Sequence, residues 1–402
     1  MILRGLLFAC LVGLNIPGFC SEEVSLLKQK LQDIGFENVN VQQADNRVLV
    51  AIENNVYLWD VDGLGKALDI TANSVSSDKE LSFYLLKHGI PRVQVMVKAG
   101  IWKQVRAGEL EVEFLEEYLK VQSGIDDDYL LLNDADQVNT NLNKVDFVVY
   151  PQVSISNAKL SQIYETQFNL APSMEVDLWK GMQFTGQLIF PIYNELGEEG
   201  DNIRPGFVTV AQEMHLGKSS WGRITLGNFN ANRYGVDASV YKVIWNNHIE
   251  LEANIGLTGS SVFNNGRWWR SDVKDVTWFV KSRYLNAKYR AQADISFGRY
   301  INGDYGVRGD LTRHFGPVSV GFFAVYAGGE SNGGFHFDFP LAFKKRKREK
   351  SVRVVPARFF DWEYQAGTEF VKGQYYESRP NANRTENNFN PIYIKSQLIN
   401  FL

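Results

Sequence analysis

The sequence predicts a mainly β protein, in which an antiparallel β-barrel of about 12 to 14 strands follows a small α/β module. First, apolar and polar residues alternate with a period of two through much of the chain from Asp146 to Leu402. Second, several alternating stretches reach the length of a membrane-crossing strand, about 9 to 11 residues. Third, aromatic residues make up 13% and charged residues 22% of the 402 residues, a composition that excludes a helical membrane protein and a disordered chain.

The first 20 residues are typical of a secretory signal peptide. Arg4 precedes the apolar stretch Leu6–Leu14, and Pro17-Gly18 breaks it. We expect cleavage after Cys20; the alternative is lipidation of Cys20, which Phe19 disfavours because a small residue is expected there. Cleavage removes both cysteines of the chain, which excludes disulfides, cysteine-ligated zinc and cysteine nucleophiles.

Residues 21–121 are predicted to form the α/β module. Apolar residues recur at helical spacing from Val24 to Ile34, and Gly35 can end that helix. Strands are predicted around Val39 and over Val48–Ile52, with Asn54-Asn55 as a hairpin turn before a further strand at 56–58. The remaining elements of the module are helices near Leu64–Leu68 and Leu110–Tyr118 and a strand over Arg92–Lys98.

Residues 122–145 are acidic, rich in asparagine and almost without periodicity, and we interpret them as a linker. Calcium binding is the alternative. An EF-hand loop needs oxygen ligands at alternating positions, but Val138 lies where the third ligand is required.

The barrel is predicted over residues 146–402, and Leu285–Phe297 is its clearest strand. Its odd positions are all apolar and its even positions are Asn286, Lys288, Arg290, Gln292, Asp294 and Ser296. In an outer-membrane barrel the apolar face meets lipid and the polar face lines a lumen; in a soluble β-sandwich the apolar face is the core. Strand length and charges in mid-strand favour the barrel, because a lumen can solvate them.

Glycine-aromatic motifs occur in both parts of the chain. In the module, Gly35–Val39 precedes Val48–Tyr57. In the barrel part the motifs are Arg204-Pro205-Gly206, Gly227-Asn228-Phe229 and Arg233-Tyr234-Gly235-Val236. With these motifs the chain resembles the YjbH/GfcD family of exopolysaccharide and capsule proteins over most of its mature length.

The resemblance implies an outer-membrane β-barrel of a Gram-negative-type cell, with the N-terminal module in the periplasm. It also implies periplasmic or lipoprotein partners that assist polysaccharide secretion, and it transfers no catalytic residue. The chain is shorter than the larger family members, which leaves open whether it has their full barrel and all their modules.

No catalytic or cofactor motif is present in the sequence. The five histidines have no metal spacing, and Gly217-Lys218-Ser219 lacks the glycine that a phosphate-binding loop requires at Gln212. Glu250 and Glu252 are spaced like the acid and base of an inverting glycosidase, but two charges in a polar lumen row are the favoured interpretation. We therefore expect no enzyme, no cofactor and no bound metal. With 42 Lys and Arg against 46 Asp and Glu, we expect no nucleic-acid partner.

Two groups of residues are candidates for ligand contact. The lumen candidates are Lys288, Arg290, Asp294, Glu250 and Glu252, together with Trp268, Trp269 and Arg270, whose planar groups suit sugar stacking or packing at a membrane boundary. The second group is the cationic run Lys344, Lys345, Arg346, Lys347, Arg348 and Lys350. It is either a solvated turn or a barrel rim that attracts an anionic partner, such as lipid phosphate or acidic sugars.

These observations lead to one hypothesis and two alternatives. The hypothesis is a non-enzymatic outer-membrane barrel that assists export or assembly of an extracellular polysaccharide. The alternatives are a general porin or structural outer-membrane protein, and a secreted carbohydrate-binding β-sandwich.

Overall fold

The computed structural model describes residues 21–44, 46–156, 164–217, 219–341, 345–366, 371–380 and 389–401. Its strands form a five-stranded sheet and a 15-stranded sheet. The smaller sheet belongs to the N-terminal module, and the larger one forms the barrel. Among these residues no helix is long and apolar enough to cross a membrane.

The module is the predicted α/β unit. Its sheet has the order β1-β2-β3-β4-β5, and helix α2 makes the crossover between the parallel strands β2 and β3. Its elements are α1 (Ser21–Asp33), β1 (Glu37–Ala44), β2 (Arg47–Glu53), α2 (Asp60–Ser74), β3 (Glu80–Lys87), β4 (Ile90–Lys98), α3 (Ala99–Arg106), α4 (Val112–Tyr118) and β5 (Lys120–Gln122).

The predicted hairpin at Asn54-Asn55 is wrong. The Asn54 side chain accepts hydrogen bonds from the backbone N–H groups of Val56 and Tyr57, at 3.2 and 2.7 Å. These bonds satisfy the two N–H groups that a hairpin would pair with β2. The chain therefore turns from β2 into α2.

Both faces of the module's sheet are covered, and segments outside residues 21–121 contribute to the cover. On one face the core formed with α1 and α2 also includes Ile394 and Leu398 of a C-terminal helix, α5 (Pro391–Phe401). On the other face Ile125 and Leu132 pack against Tyr84. Residues 122–145, interpreted above as a linker, thus include a stretch that packs on the module, and the last residues of the predicted barrel region form a helix.

The barrel wall is an antiparallel meander. Seven strands, β6 to β12, and five strands, β14 to β18, pair in chain order, and the short β13 pairs only with the end of β12. The strands are β6 (Val145–Ser156), β7 (Glu165–Trp179), β8 (Met182–Asn194), β9 (Arg204–Gly217), β10 (Ser220–Phe229), β11 (Arg233–Ile244), β12 (Ile249–Asn264), β13 (Arg267–Arg270), β14 (Asp275–Asn286), β15 (Ala291–Arg299), β16 (Tyr305–Phe315), β17 (Val318–Ala327) and β18 (Glu330–Pro340).

One continuous segment joins the two ends of this meander. Strand β19 (Val352–Pro356) pairs in parallel with β6, and β20 (Phe359–Gln365) pairs antiparallel with β18. Between them the Ala357 N–H donates to the carbonyl of Val149 at 3.0 Å. This segment pairs with both edge strands of the meander, β6 and β18. The backbone groups of these edges are therefore satisfied within the chain, without strand pairing to another chain. The prediction of about 12 to 14 strands is confirmed.

The two faces of the wall have the polarity of an outer-membrane barrel. Outward-facing apolar side chains are exposed, for example Val280 at 52%, Ile295 at 59% and Phe322 at 67%. Inward-facing polar residues are buried, including Gln292 at 1% and Arg308 at 8%. A soluble β-sandwich has the opposite polarity, so the carbohydrate-binding β-sandwich is not the fold of this chain.

The predicted single strand Leu285–Phe297 is wrong, because it is a hairpin. Strand β14 ends at Asn286 and β15 begins at Ala291. Arg290 has a φ of 48°, and its N–H donates to the carbonyl of Ala287 at 3.2 Å. Leu285 pairs with Gln292, and both side chains are buried. Leu285 therefore faces the interior, although Ile295 faces outward as predicted.

Candidate functional site

The C-terminal part of the chain passes back through the barrel after β20. We call residues 371–380 the lumen segment, because it contacts inward-facing residues of the wall strands and the turns that join them. The Gly373 N–H donates to Asp304 Oδ2 at 2.7 Å, and the Tyr376 hydroxyl donates to Asp237 Oδ2 at 2.9 Å. The Tyr376 ring stacks on Phe229 with a centroid distance of 5.3 Å. The segment thus crosses the lumen on specific contacts.

The chain then reaches the module. The Asn390 amide donates to Glu250 Oε1 of the barrel at 2.7 Å, immediately before α5 enters the core of the module. The lumen segment is therefore attached at one end to β20 and at the other end, through α5, to the module.

A cavity of about 350 Å³ lies between the lumen segment and the wall. Ion pairs line it: Arg283 lies 3.2 Å from Glu250 and 3.3 Å from Asp294, and Lys281 lies 3.3 Å from Glu252. Aromatic side chains share this surface with the ion pairs; they are Trp221, Tyr241, Phe279, Tyr300, Tyr375 and Tyr376. The interior thus offers charges, hydroxyl groups and ring faces to a polar solute.

The structure brings three of the predicted lumen residues together. Glu250, Glu252 and Asp294 face the interior on β12 and β15, where period-two alternation placed them. Their partners Lys281 and Arg283 were missed, although both lie on the inward-facing positions of β14.

The other predicted lumen residues lie elsewhere. Lys288 and Arg290 are exposed in the turn between β14 and β15 and do not line the wall. Trp268, Trp269 and Arg270 lie on β13, at the end of the barrel away from the module. There the Arg270 guanidinium lies 4.4 Å from the ring centroid of Trp268, so the arginine packs within this hairpin.

The cationic run lies beside the module. Lys344 is outside the described residues. Lys345, Lys347 and Lys350 are exposed, whereas the side chains of Arg346 and Arg348 point into the space between module and barrel. The Arg346 N–H donates to the carbonyl of Val56 at 2.6 Å. The run is therefore attached to the module, and its arginines and lysines have different surroundings.

The module is fastened to one end of the barrel by buried contacts. Arg92 of β4 forms an ion pair with Glu213 of β9, and both side chains are buried. The Trp221 indole N–H donates to the carbonyl of Pro91 at 2.7 Å. Such contacts join residues more than 100 positions apart, and sequence pattern cannot find them.

A second part of this junction contains three potential metal ligands, Glu53, His88 and Asp177, whose ligand atoms lie within 4.8 Å of one another. His88 Nδ1 lies 2.9 Å from Asp177 Oδ1. Glu53 accepts hydrogen bonds from the Asn38 amide and from the N–H groups of His88 and Gly89. Glu53, His88 and Asp177 thus all have hydrogen-bond partners within the protein.

The surroundings of Glu53 and His88, the two members of this cluster that belong to the module, shift their pKa values. Burial, and then the charge of Asp177, raise the pKa of Glu53. Burial alone lowers the pKa of His88, but the carboxylates of Asp177, Glu213 and Glu53 outweigh it, and the net effect raises that pKa.

An antiparallel wall with a polar interior and an apolar exterior, with an α/β module fastened at one end, defines an outer-membrane type of barrel. Residues 20–206 match the YjbH family, described as exopolysaccharide biosynthesis protein YbjH. The resemblance to that family is confirmed over this span.

Solved outer-membrane proteins align with about half of the chain. A loop-deletion mutant of OmpT, an outer membrane protein of Vibrio cholerae, is 10% identical; the alignment covers 49% of this chain and 89% of that chain, with a TM-score of 0.29. A triple mutant of the Rhodopseudomonas blastica porin is 7% identical over 48% of this chain and 88% of that chain, with a TM-score of 0.26. Curated protein sequences gave no match.

Proposed function

We propose that this chain is a non-enzymatic outer-membrane barrel that assists export or assembly of an extracellular polysaccharide. In this proposal the module lies in the periplasm, where periplasmic or lipoprotein partners of a secretion system dock, and the lumen surface contacts the polymer. The observation that carries it is the cavity beside the lumen segment, because its ion pairs and rings suit a hydrated sugar chain. The name of the matching family supports the choice of polymer.

The apolar side chains exposed on the outer face of the wall support the proposed location in the outer membrane. Side chains such as Ile255 at 57% and Leu311 at 62% exposure are costly in water and favourable in lipid. A general porin is the remaining alternative. The lumen segment and the attached module favour the specialised role, because both lie on the path that a general porin keeps open.

The ion pairs of the wall support a non-enzymatic role. A glycosidase acid must hold a proton while its partner is ionised. Glu250 and Glu252 lie 3.2 and 3.3 Å from Arg283 and Lys281 respectively, so each carboxylate is held in an ion pair of the wall.

The test combines gene deletion with a matched pair of lumen and lipid-face variants. Ser239 lines the cavity, and the next residue, Val240, is 48% exposed on the outer face. In a deletion strain, the wild-type gene and Val240→Trp should restore surface polysaccharide, whereas Ser239→Trp should restore much less, because the indole fills the cavity. Immunoblots of outer-membrane fractions must show equal amounts of folded protein. Unchanged polysaccharide in the deletion strain would refute the function, and full rescue by Ser239→Trp would refute the role of the lumen.

A further inference from the structure

Arginine side chains converge on a second cavity, of about 240 Å³, at the junction of module and barrel. Four of them come from the short segment that includes β19 and its flanks: Arg346, Arg348, Arg353 and Arg358. Guanidinium groups this close repel one another unless anions lie between them.

Two of the four are neutralised by carboxylates. Arg348 lies 2.8 Å from Glu37 Oε1 and 2.5 Å from Asp146 Oδ1. Arg353 donates from Nε and Nη2 to the two oxygens of Asp146, at 2.8 and 2.7 Å. These groups form a bidentate network that fastens the module to β6.

Arg346 and Arg358 differ from that pair. Within the described ranges, neither forms an ion pair with a carboxylate. The Arg358 Nη2 donates to the backbone carbonyl of Asn54 at 2.7 Å, and the Arg346 Nε is buried without a hydrogen-bond partner among these residues. Burial, and then the charges of Arg358 and Arg353, lower the pKa of Arg346 to about 10. The positive charge of Arg346 is thus incompletely compensated.

Acidic side chains that line the same cavity have other partners. Glu175 accepts from the Tyr150 hydroxyl at 2.7 Å, and Asp177 accepts from the Asn141 amide at 2.5 Å. Asp60 accepts from the Asn54 amide at 2.7 Å. Within the described ranges none of these three carboxylates forms an ion pair with Arg346 or Arg358, although the charges of Glu175 and Arg346 attract each other.

We propose that this cavity binds a small oxyanion, a carboxylate or a phosphate group, between Arg346 and Arg358. A guanidinium group presents paired donors that match the geometry of both anions. The source is either free phosphate or an acidic sugar. The junction cavity adjoins the lumen cavity, since Lys87, Arg223, Arg379 and Phe389 line both, but Arg346 and Arg358 line only the junction cavity. The proposal concerns anion binding at these two arginines and does not depend on the proposed function.

The experiment measures binding of inorganic phosphate, glucuronate and glucose to the full-length protein in detergent micelles, by calorimetry at about pH 7. We expect binding of phosphate, of glucuronate or of both, and the stronger of the two identifies the source. Glucose, which is neutral, should not bind. The double variant Arg346→Gln, Arg358→Gln should lose affinity by about tenfold or more, because it loses two charge-assisted contacts.

The control is Lys347→Gln, Lys350→Gln, which removes the same charge from exposed positions of the same run and should retain wild-type affinity. Arg346→Lys serves as a second variant if the double variant does not fold; it keeps the charge but loses the paired donors, and its affinity should fall severalfold. The proposal is overturned if neither anion binds, if glucose binds equally, or if the lysine control loses as much affinity as the arginine variant.

Discussion

Adjacent side chains on β15 point alternately to the outer face and to the lumen. Single substitutions on this strand can therefore test which face meets lipid. Ile295 is 59% exposed on the outer face, whereas Ser296 lines the lumen cavity. Arginine at Ile295 should lower the free energy of unfolding by roughly 2 to 4 kcal/mol, because a charge would lie in lipid. Ser296→Arg should cost much less, because the cavity can hydrate it. Urea unfolding in lipid vesicles measures both, and equal costs would contradict the assignment of the two faces.

His88 should make the stability of the junction depend on pH. The carboxylates of Asp177, Glu213 and Glu53 raise its pKa in the folded state, against the effect of burial. A group with a raised pKa stabilises the fold fully below its unfolded pKa, about 6.5 for histidine, and that contribution is lost as pH rises through the folded value. The raised pKa of Glu53 acts in the same direction. The free energy of unfolding should therefore fall as pH rises above about 6.5, the unfolded pKa of histidine.

His88→Asn tests this dependence, because His88 has a φ of 52° and asparagine tolerates that conformation. Urea unfolding curves of the variant should change less over this pH range than those of the wild type. His248→Asn, in the turn between β11 and β12, is the matched control and should keep the wild-type slope. A stability that is independent of pH, or the same slope in both variants, would show that His88 does not control the junction.

At the scale of single residues, the sequence predicted the inward side of β12 but not its partners. Alternation placed Glu250 and Glu252 on one face because a strand has a period of two. Their pairing with Lys281 and Arg283 depends on register between β12 and β14, which alternation within one strand does not contain. The cluster of Glu53, His88 and Asp177 also combines distant parts of the chain, and no local motif indicates it.

At the scale of elements, the hairpin of β14 and β15 shows where period-two reasoning fails. Apolar and polar residues continue to alternate through the turn at 287–290, so no break in the pattern marks it. Leu285 pairs with Gln292, so an odd position on β14 lies opposite an even one on β15. The inward face therefore changes from odd to even positions. Helix α5 was missed for a different reason, since its two fully buried residues, Ile394 and Leu398, pack on a module at the other end of the sequence.

At the scale of the whole molecule, composition and periodicity were sufficient for the α/β module and the barrel, because each has its own repeating pattern. The way in which they combine was not predictable. The lumen segment is a polar stretch without periodicity. Its place is set by contacts with Asp237 and Phe229 on wall strands and with Asp304 in the turn between β15 and β16. These contacts connect the state of the lumen to the C-terminal helix and, through it, to the module.

This connection predicts what truncation after Gln365 should do. Strand β20 remains, so the wall can still form, but the lumen segment and α5 are removed. Single-channel conductance in planar bilayers should rise, because the segment no longer occupies the lumen. The module should also lose stability, by about 2 to 5 kcal/mol for each of Ile394 and Leu398 that leaves its core. The double variant Ile394→Ala, Leu398→Ala separates the two effects: it keeps the lumen segment, so the module should be destabilised with a smaller rise in conductance. If the truncated protein forms a folded barrel with wild-type conductance, the segment does not restrict the lumen.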